Sequence, residues 1–271
     1  MKTNRRIWYF LIIYGISLLV VSQWWYTHPS PFHFFDDATE WMGLDKVGHW
    51  FTSFQVSLLS VWLFSERSKP GSKPEAHWAI GGFIMMLPIE IMDGFSANYG
   101  ASVFDLMANL AGSVSAFALL KLKVTETIYP KFSFHFTSYA ILRPQLLGAT
   151  WPQRILKDYN GQTYWISIRF KDVPGLSVMP AWLLFSIGYG VDGLLGGHDN
   201  KADQPGERVV DFSYITRANK IVLSLDLDGT SVRVGNKYIN YLLNVSRCVK
   251  IPAPAVEFNS VSGIKFHFLY F

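Results

Sequence analysis

This sequence of 271 residues is poor in cysteine and in charged residues. Its single cysteine, Cys248, excludes an intramolecular disulfide and a cysteine-rich metal site. No cysteine follows the first apolar segment, where a lipoprotein would carry its lipid. Charged residues make up 16% of the chain, against about 25% in a typical soluble domain. Because the deficit lies mainly in the first half, that half predicts a membrane protein.

The sequence also lacks the motifs of the common enzyme and nucleic-acid-binding classes. It contains no G-x-S-x-G, H-E-x-x-H, P-loop or dinucleotide fingerprint. It has no zinc-finger spacing, RNP-type aromatic motif or recognition-helix pattern, and its net charge of +4 is spread over the ends of apolar runs. We therefore expect no nucleic-acid partner, and no reaction class follows from motifs.

Four apolar runs stand out in the first half of the chain. They comprise residues 7–26, 47–64, 78–92 and 101–120. The first has no charged residue over 20 positions, about the length that a helix needs to cross the hydrocarbon core. It ends in an aromatic belt at residues 24–26. The runs predict an α-helical membrane bundle of about four transmembrane helices in residues 1–124.

Lysine and arginine placement predicts how these helices are oriented. Basic residues precede the first run, separate the second from the third, and follow the fourth, at Lys2, Arg5, Arg6, Arg67, Lys69, Lys73, Lys121 and Lys123. Loops rich in such residues stay in the cytoplasm. We therefore expect the inner (cytoplasmic) membrane with a cytoplasmic N-terminus. A cleaved signal peptide is the alternative for the first run, although its Trp-Trp-Tyr end lacks a small-residue cleavage site.

Three pairs of polar residues lie at run ends that face the outer leaflet in this topology. The pairs are Asp45 and His49, Glu90 and Asp93, and Asp105 and Asn109. Their i,i+3 or i,i+4 spacing places each pair on one helix face. Lys46 is the only fixed cation at this level, so the carboxylates need a proton, a bound metal or water. Structural hydrogen bonds between helices are the alternative interpretation.

A histidine among several carboxylates could hold a hard divalent cation or supply a general acid and base. The ligands of such a metal would come from Asp45, His49, Glu90, Asp93 and Asp105. Small residues, including Gly112, would let the helices approach closely enough for these side chains to meet.

Two segments, DKVGHWFTSF at residues 45–54 and EIMDGFSANYGASVFDLMANLAGS at residues 90–113, carry a family pattern. They resemble the YfiM-like family of uncharacterised bacterial envelope proteins, with its D-K-x-x-H-F, E-x-x-D and S-x-x-D-x-x-x-N-x-x-G blocks. The matching residues are Asp45, Lys46, His49, Glu90, Asp93, Ser102, Asp105, Asn109 and Gly112. Trp50 replaces the more usual Phe. The resemblance implies a bacterial envelope protein and adds Lys46 and Ser102 to the candidate polar site, but it supplies no reaction.

VanZ-like membrane proteins are similar in the D-K-x-x-H and D-x-x-x-N-x-x-G parts. They carry Gln where this chain has Asp93, which makes this resemblance the more distant one. VanZ-like proteins are linked to glycopeptide resistance, and by analogy the resemblance implies handling of cell-envelope glycolipids.

Residues 125–271 predict a mixed α/β region with short strands. Alternating runs favour strands at residues 132–139, 163–170, 220–228 and 264–271. Residues 236–249 favour a short amphipathic helix, and residues 182–197 fit a strand or a membrane-surface segment better than a fifth helix. Asp226 and Asp228 are expected on the exposed face of a strand.

These features favour an envelope membrane protein that acts as a scaffold or in envelope maintenance. Its partners would be membrane lipids and another envelope protein bound through residues 125–271. The alternative is a membrane-embedded, metal-dependent hydrolase of a lipid-linked or phosphate-bearing substrate, with a divalent metal as cofactor. A proton or small-molecule pathway is a third option, which the lack of an internal repeat weakens. The aromatic chain end, residues 265–271, keeps an outer-membrane association as an alternative location.

Overall fold

Two compact units make up the chain in a computed structural model, which describes residues 2–26, 28–65, 75–201 and 210–271. The first unit comprises Met1–Ala38 and Lys46–Lys123, and the second comprises Thr39–Asp45 and Val124–Phe271. The predicted cytoplasmic cations Arg67, Lys69 and Lys73 lie outside the described residues.

Four helices correspond to the four apolar runs. They are α1 (Lys2–Trp25), α2 (Leu44–Phe64), α3 (Gly81–Gly94) and α4 (Val103–Leu122). A 3₁₀ turn, Ala76–Ile80, leads into α3, which contains Pro88. Ser102 begins α4 as its N-cap, because its hydroxyl accepts a hydrogen bond from the backbone of Asp105.

The prediction of a four-helix membrane bundle is wrong. In the described part of the chain, two helices are long and apolar enough to cross a membrane, Arg5–Trp25 and Val103–Leu122. A signal sequence and a buried core helix share these properties. The 14 residues of α3 span about 21 Å, which is short of the roughly 30 Å hydrocarbon core. In α2, charged residues and buried serines lower the hydropathy.

Close packing joins α2 to α4 in the first unit. A Cβ added to Gly112 would lie 2.3 Å from the backbone oxygen of Trp50 and 2.9 Å from Ser53 Cβ. Ser53 Oγ donates to the backbone oxygen of Asn109 at 2.6 Å and lies 3.1 Å from Ser113 Oγ. Small residues of this kind allow two helix backbones to approach and hydrogen-bond across their interface.

The second unit contains a six-stranded antiparallel sheet, whose strands lie side by side in chain order. They are β1 (Ile128–Phe134), β2 (Gln162–Arg169), β3 (Leu183–Asp192), β4 (Ala218–Leu227), β5 (Ala253–Asn259) and β6 (Gly263–Tyr270). Its helices are short: α5 (Tyr139–Leu142), α6 (Pro144–Leu147), α7 (Trp151–Lys157) and α8 (Lys237–Val245). This sheet, with strands of up to 10 residues, replaces the predicted mixed region of short strands.

The two faces of the sheet differ in polarity. One face, called the outer face here, carries two apolar rows that cross all six strands, Pro130–Ile166–Ile187–Leu223–Val256–Phe266 and Phe132–Tyr164–Tyr189–Ile221–Phe258–Ile264. The opposite, inner face carries the intervening rows, which include Lys131, Ser167 and Asp226. Asp226 and Asp228 are 0% and 2% exposed, so their predicted exposure is wrong.

Side chains on the inner face meet across the sheet. Lys131 Nζ on β1 lies 2.7 Å from Asp226 Oδ2 on β4, and the rings of Trp165 on β2 and Tyr270 on β6 are 5.7 Å apart. In a flat sheet, β1 and β4 would be about 14 Å apart. The sheet is therefore strongly curved, with the inner face on its concave side. Residues 248–250 pair with the free edge of β1 through two backbone hydrogen bonds to Phe132.

An apolar core closes one end of the second unit. Its fully buried members include Leu44, Leu147, Val191, Leu194 and Leu195. The side chains come from residues 39–45, from the short helices and from the segment after β3. This core therefore ties residues 39–45 to the second unit.

Candidate functional site

The end of α3 and the starts of α2 and α4 bring buried polar side chains together in the first unit. We call this group the polar cluster, and its members are Asp37, Lys46, His49, Glu90, Ser102, Asp105 and Asn109. The helical spacing explains the arrangement. Residues three or four apart on each helix share a face, and these faces point into the unit.

Lys46 connects two carboxylates that are distant in the sequence. Its Nζ lies 2.6 Å from Asp37 Oδ2 and 2.7 Å from Asp105 Oδ1. Both carboxylates are buried, at 7% and 5% exposure. Removing one member of such a buried group leaves an uncompensated charge, so the three residues depend on one another.

Ser102 links the same carboxylates through hydrogen bonds. Its Oγ donates to Asp37 Oδ1 at 2.5 Å and accepts from the backbone N–H of Asp105 at 3.1 Å. The serine therefore caps α4 and holds Asp37 at the same time. Backbone bridges from Pro29 to Ser96 and from Phe34 to Ala101 place the Asp37 loop beside the start of α4.

His49 lies between two carboxylates. Its Nδ1 is 3.2 Å from Glu90 Oε1, and its Nε2 is 3.8 Å from Asp105 Oδ1. A neutral imidazole has one donor and one acceptor nitrogen, whereas two ionised carboxylates are both acceptors. The arrangement therefore favours a doubly protonated imidazole, or a proton or cation shared with one of the carboxylates.

Glu90 and Asn109 are buried side chains whose hydrogen bonding is incomplete. Asn109 Nδ2 donates to Glu90 Oε1 at 2.9 Å. Neither Glu90 Oε2 nor Asn109 Oδ1 has a hydrogen-bond partner among the described residues. The two residues are 3% and 0% exposed. Buried polar atoms of this kind normally have a partner, so either oxygen can accept a hydrogen bond from water or bind a cation.

Two of the sequence-predicted site residues contact tyrosines. Asp93 interacts with the Tyr26 hydroxyl, whose pKa is raised by burial and further by this carboxylate. Asp45 belongs to the second unit, where it accepts a hydrogen bond from the Tyr159 hydroxyl at 2.5 Å.

The polar cluster is rich in acid. Asp37, Glu90 and Asp105 supply three carboxylates, whereas Lys46 is its one fixed cation. Carboxylate and amide oxygens with an imidazole suit a hard or borderline divalent cation. The same groups can hold a proton between His49 and a carboxylate.

Sequence reasoning missed Asp37 and Tyr26. Both lie between α1 and α2, where no helical period marks a buried position. The signal that could have found Asp37 is its type: it is an acidic residue in a short segment before the helix that carries Lys46. The interfacial aromatic belt already accounts for an aromatic ring at Tyr26, so the sequence gives no reason to look for a buried partner of its hydroxyl.

One family matches the helical part of the chain. Its description is "Predicted periplasmic lipoprotein", DUF2279, and the match covers residues 33–123. These residues include every member of the polar cluster. The match suggests an envelope protein and does not distinguish a YfiM-like from a VanZ-like relationship. No curated protein and no solved structure matches the chain.

Proposed function

We propose that the chain is a membrane-anchored scaffold protein of the bacterial envelope, and that the polar cluster holds its first unit together. The observation that carries this proposal is the double ion pair of Lys46. It ties Asp37, before α2, to Asp105, in the first turn of α4. Partners supplied by the protein itself are the expected feature of a structural network.

The family match and α1 support the location. The matched family is described as periplasmic, and α1 is long and apolar enough to anchor the chain or to act as a signal. Lys2, Arg5 and Arg6 precede its apolar part, which favours a cytoplasmic N-terminus and the inner membrane. The outer membrane is the alternative location.

A second candidate function is a metal-dependent hydrolase that acts on a lipid-linked or phosphate-bearing substrate. The observation that favours it is the pair of buried oxygens without a described partner, Glu90 Oε2 and Asn109 Oδ1. Together with His49, they would hold the cation, which would polarise a substrate oxygen or a water.

Stability measurements combined with complementation test the scaffold proposal. Lys46→Met leaves Asp37 and Asp105 without their shared cation, and we expect a loss of about 1–3 kcal/mol in stability. Complementation of a deletion strain should fall with it. Lys121→Met, at the exposed end of α4, is the matched control and should change neither quantity. A Lys46→Met protein that is as stable as the wild type but inactive in cells would contradict the scaffold proposal.

Elemental analysis of the purified full-length protein separates the two candidates. The scaffold requires no bound metal. A divalent metal at one equivalent per chain, lost in Glu90→Gln without loss of folding, would favour the hydrolase instead.

A further inference from the structure

The outer face of the sheet is exposed and carries large apolar side chains. Phe266 and Phe268 on β6 are 83% and 87% exposed, and Ile187, Ile221 and Leu225 are each exposed by more than 40%. The two rows that cross all six strands contain no charged residue. Monomeric soluble proteins rarely expose apolar patches of this extent.

The inner face carries buried charged and polar side chains beside a small apolar cluster of Trp165, Val222, Ala255 and Tyr270. Lys131 and Asp226 are completely buried there, and Ser167 Oγ donates to Asp226 Oδ2 at 3.0 Å. A sheet that is folded for water places its apolar face inside and its charges outside, because apolar surface is driven out of water. Here charged side chains are buried on the inner face while large apolar side chains are exposed on the outer face, which is the arrangement expected of a sheet in apolar surroundings.

We propose that the outer face of the sheet contacts the acyl chains of a lipid bilayer. Strands whose apolar side chains point outward and whose polar side chains point into an enclosed interior are the pattern of sheets that face lipid. Tyr164 and Tyr189 pack against the apolar core of the same unit, and the exposed positions of the rows on β3 to β6 are all uncharged and match an apolar solvent. The proposal concerns the second unit alone and is independent of the polar cluster.

Curvature argues for lipid rather than a second copy of the chain. Because the Lys131–Asp226 pair draws β1 and β4 together on the inner face, the outer face is convex. A convex apolar surface that extends from β3 to β6 cannot be covered fully by an identical convex surface, whereas fluid acyl chains cover it fully. A protein partner with a flat surface would contact only a few strands of this curved face at a time.

Helix α8 provides independent support for a lipid environment. None of its residues is buried, and Tyr238, Tyr241 and Leu242 are each more than 60% exposed. A short helix that exposes tyrosines and aliphatic side chains is typical of elements that lie at a membrane surface.

Fluorescence quenching in vesicles tests the proposal on the full-length protein. In a Cys248→Ser background, single cysteines replace Ile221, Leu225 or Phe266 and carry an environment-sensitive label, and Val178→Cys is the control in an exposed loop (90% exposed). The protein is reconstituted into phosphatidylcholine vesicles with or without bromine on the acyl chains. We expect brominated lipid to quench the three outer-face labels and aqueous iodide to quench only the label at residue 178.

Two other quenching patterns would overturn the proposal. Outer-face labels that respond to iodide as residue 178 does would show that this face lies in water. Labels shielded from both quenchers would show that protein, either a second copy or another partner, covers the face.

A charge substitution provides a second test that needs no label. Leu225→Lys should lower the fraction of protein that folds in vesicles, whereas Val178→Lys should leave it unchanged. In water, lysine at a half-exposed position of this kind is tolerated. Equal folding of the two variants in vesicles, with native circular dichroism, would also contradict contact with lipid.

Discussion

The two units bury charge in different ways. In the first unit, the polar cluster sets the carboxylates of Asp37, Glu90 and Asp105 against the single cation of Lys46. On the inner face of the sheet in the second unit, two buried carboxylates each have a basic partner of their own instead. There Lys131 pairs with Asp226 at 2.7 Å, and Arg169 pairs with Asp228 at 2.7 Å.

The difference shows what each network requires from its surroundings. A buried carboxylate with its own basic partner is already compensated, so removing either member of the pair should only destabilise the unit. An acid-rich cluster needs a proton, water or a cation to be complete, so removing one carboxylate can relieve repulsion. Stability measurements on matched variants of the two units can therefore test whether the contrast is real.

The largest expected effect is on the paired charges of the sheet. Asp226→Asn leaves Lys131 buried without its counter-charge, and we expect a loss of about 3–5 kcal/mol. Chemical denaturation of the full-length protein in detergent measures it. Glu126→Gln, which breaks the exposed pair with Arg247, is the control and should cost at most about 1 kcal/mol. Equal losses in the two variants would show that burial of the sheet pair is unimportant.

An intermediate effect is expected where α2 packs against α4. A substitution there changes packing without changing charge, so it measures the contribution of packing to the stability of the first unit. Gly112→Ala places a methyl group 2.3 Å from the backbone oxygen of Trp50, and we expect it to cost about 1–3 kcal/mol. Gly15→Ala in α1 meets nothing within 4 Å and should be neutral or slightly stabilising. Thermal denaturation of both variants decides the point, and a neutral Gly112→Ala would mean that the helices can separate freely.

The smallest expected effect has the opposite sign. Glu90→Gln keeps an oxygen that accepts from Asn109 Nδ2 but removes one of the three carboxylates. We expect a gain of about 0.5–1 kcal/mol, because the excess of acid is relieved. Glu75→Gln, a partly exposed carboxylate in the same unit, should stay within about 0.5 kcal/mol of the wild type. A clear loss in Glu90→Gln would show that the cluster needs this negative charge.

Helical periodicity accounts for part of the candidate site, since Asp105 and Asn109 share a face of α4, whereas Asp45 and Asp93 lie outside the polar cluster. The expected approach of Glu90 and Asn109 followed from their places at the end of α3 and the start of α4, and the two side chains hydrogen-bond. Asp37 could not be found in this way. Its position depends on backbone bridges between two irregular segments, and such bridges have no repeating sequence signal.

Strand periodicity was less informative, because a period of two identifies the faces without saying which one is buried. The alternation in β4 predicts the strand that the structure contains, but it also predicts that Asp226 faces water, as it would in a soluble sheet, and Asp226 is buried. Strand β5 was missed because Pro252 and Pro254 resemble a loop. The four-span prediction failed for a similar reason: an apolar run indicates burial, and the surroundings decide whether protein or lipid provides it.

The pairing of residues 248–250 with Phe132 has a consequence for the order of synthesis. Strand β1 leaves the ribosome more than a hundred residues before the segment that completes its edge. At about 5–20 residues per second, the backbone groups on that edge wait for several seconds or longer. An open strand edge is a template for pairing with another chain. Any chain that stops before residue 248 therefore keeps this edge open, and pairing between copies then competes with completion of the fold.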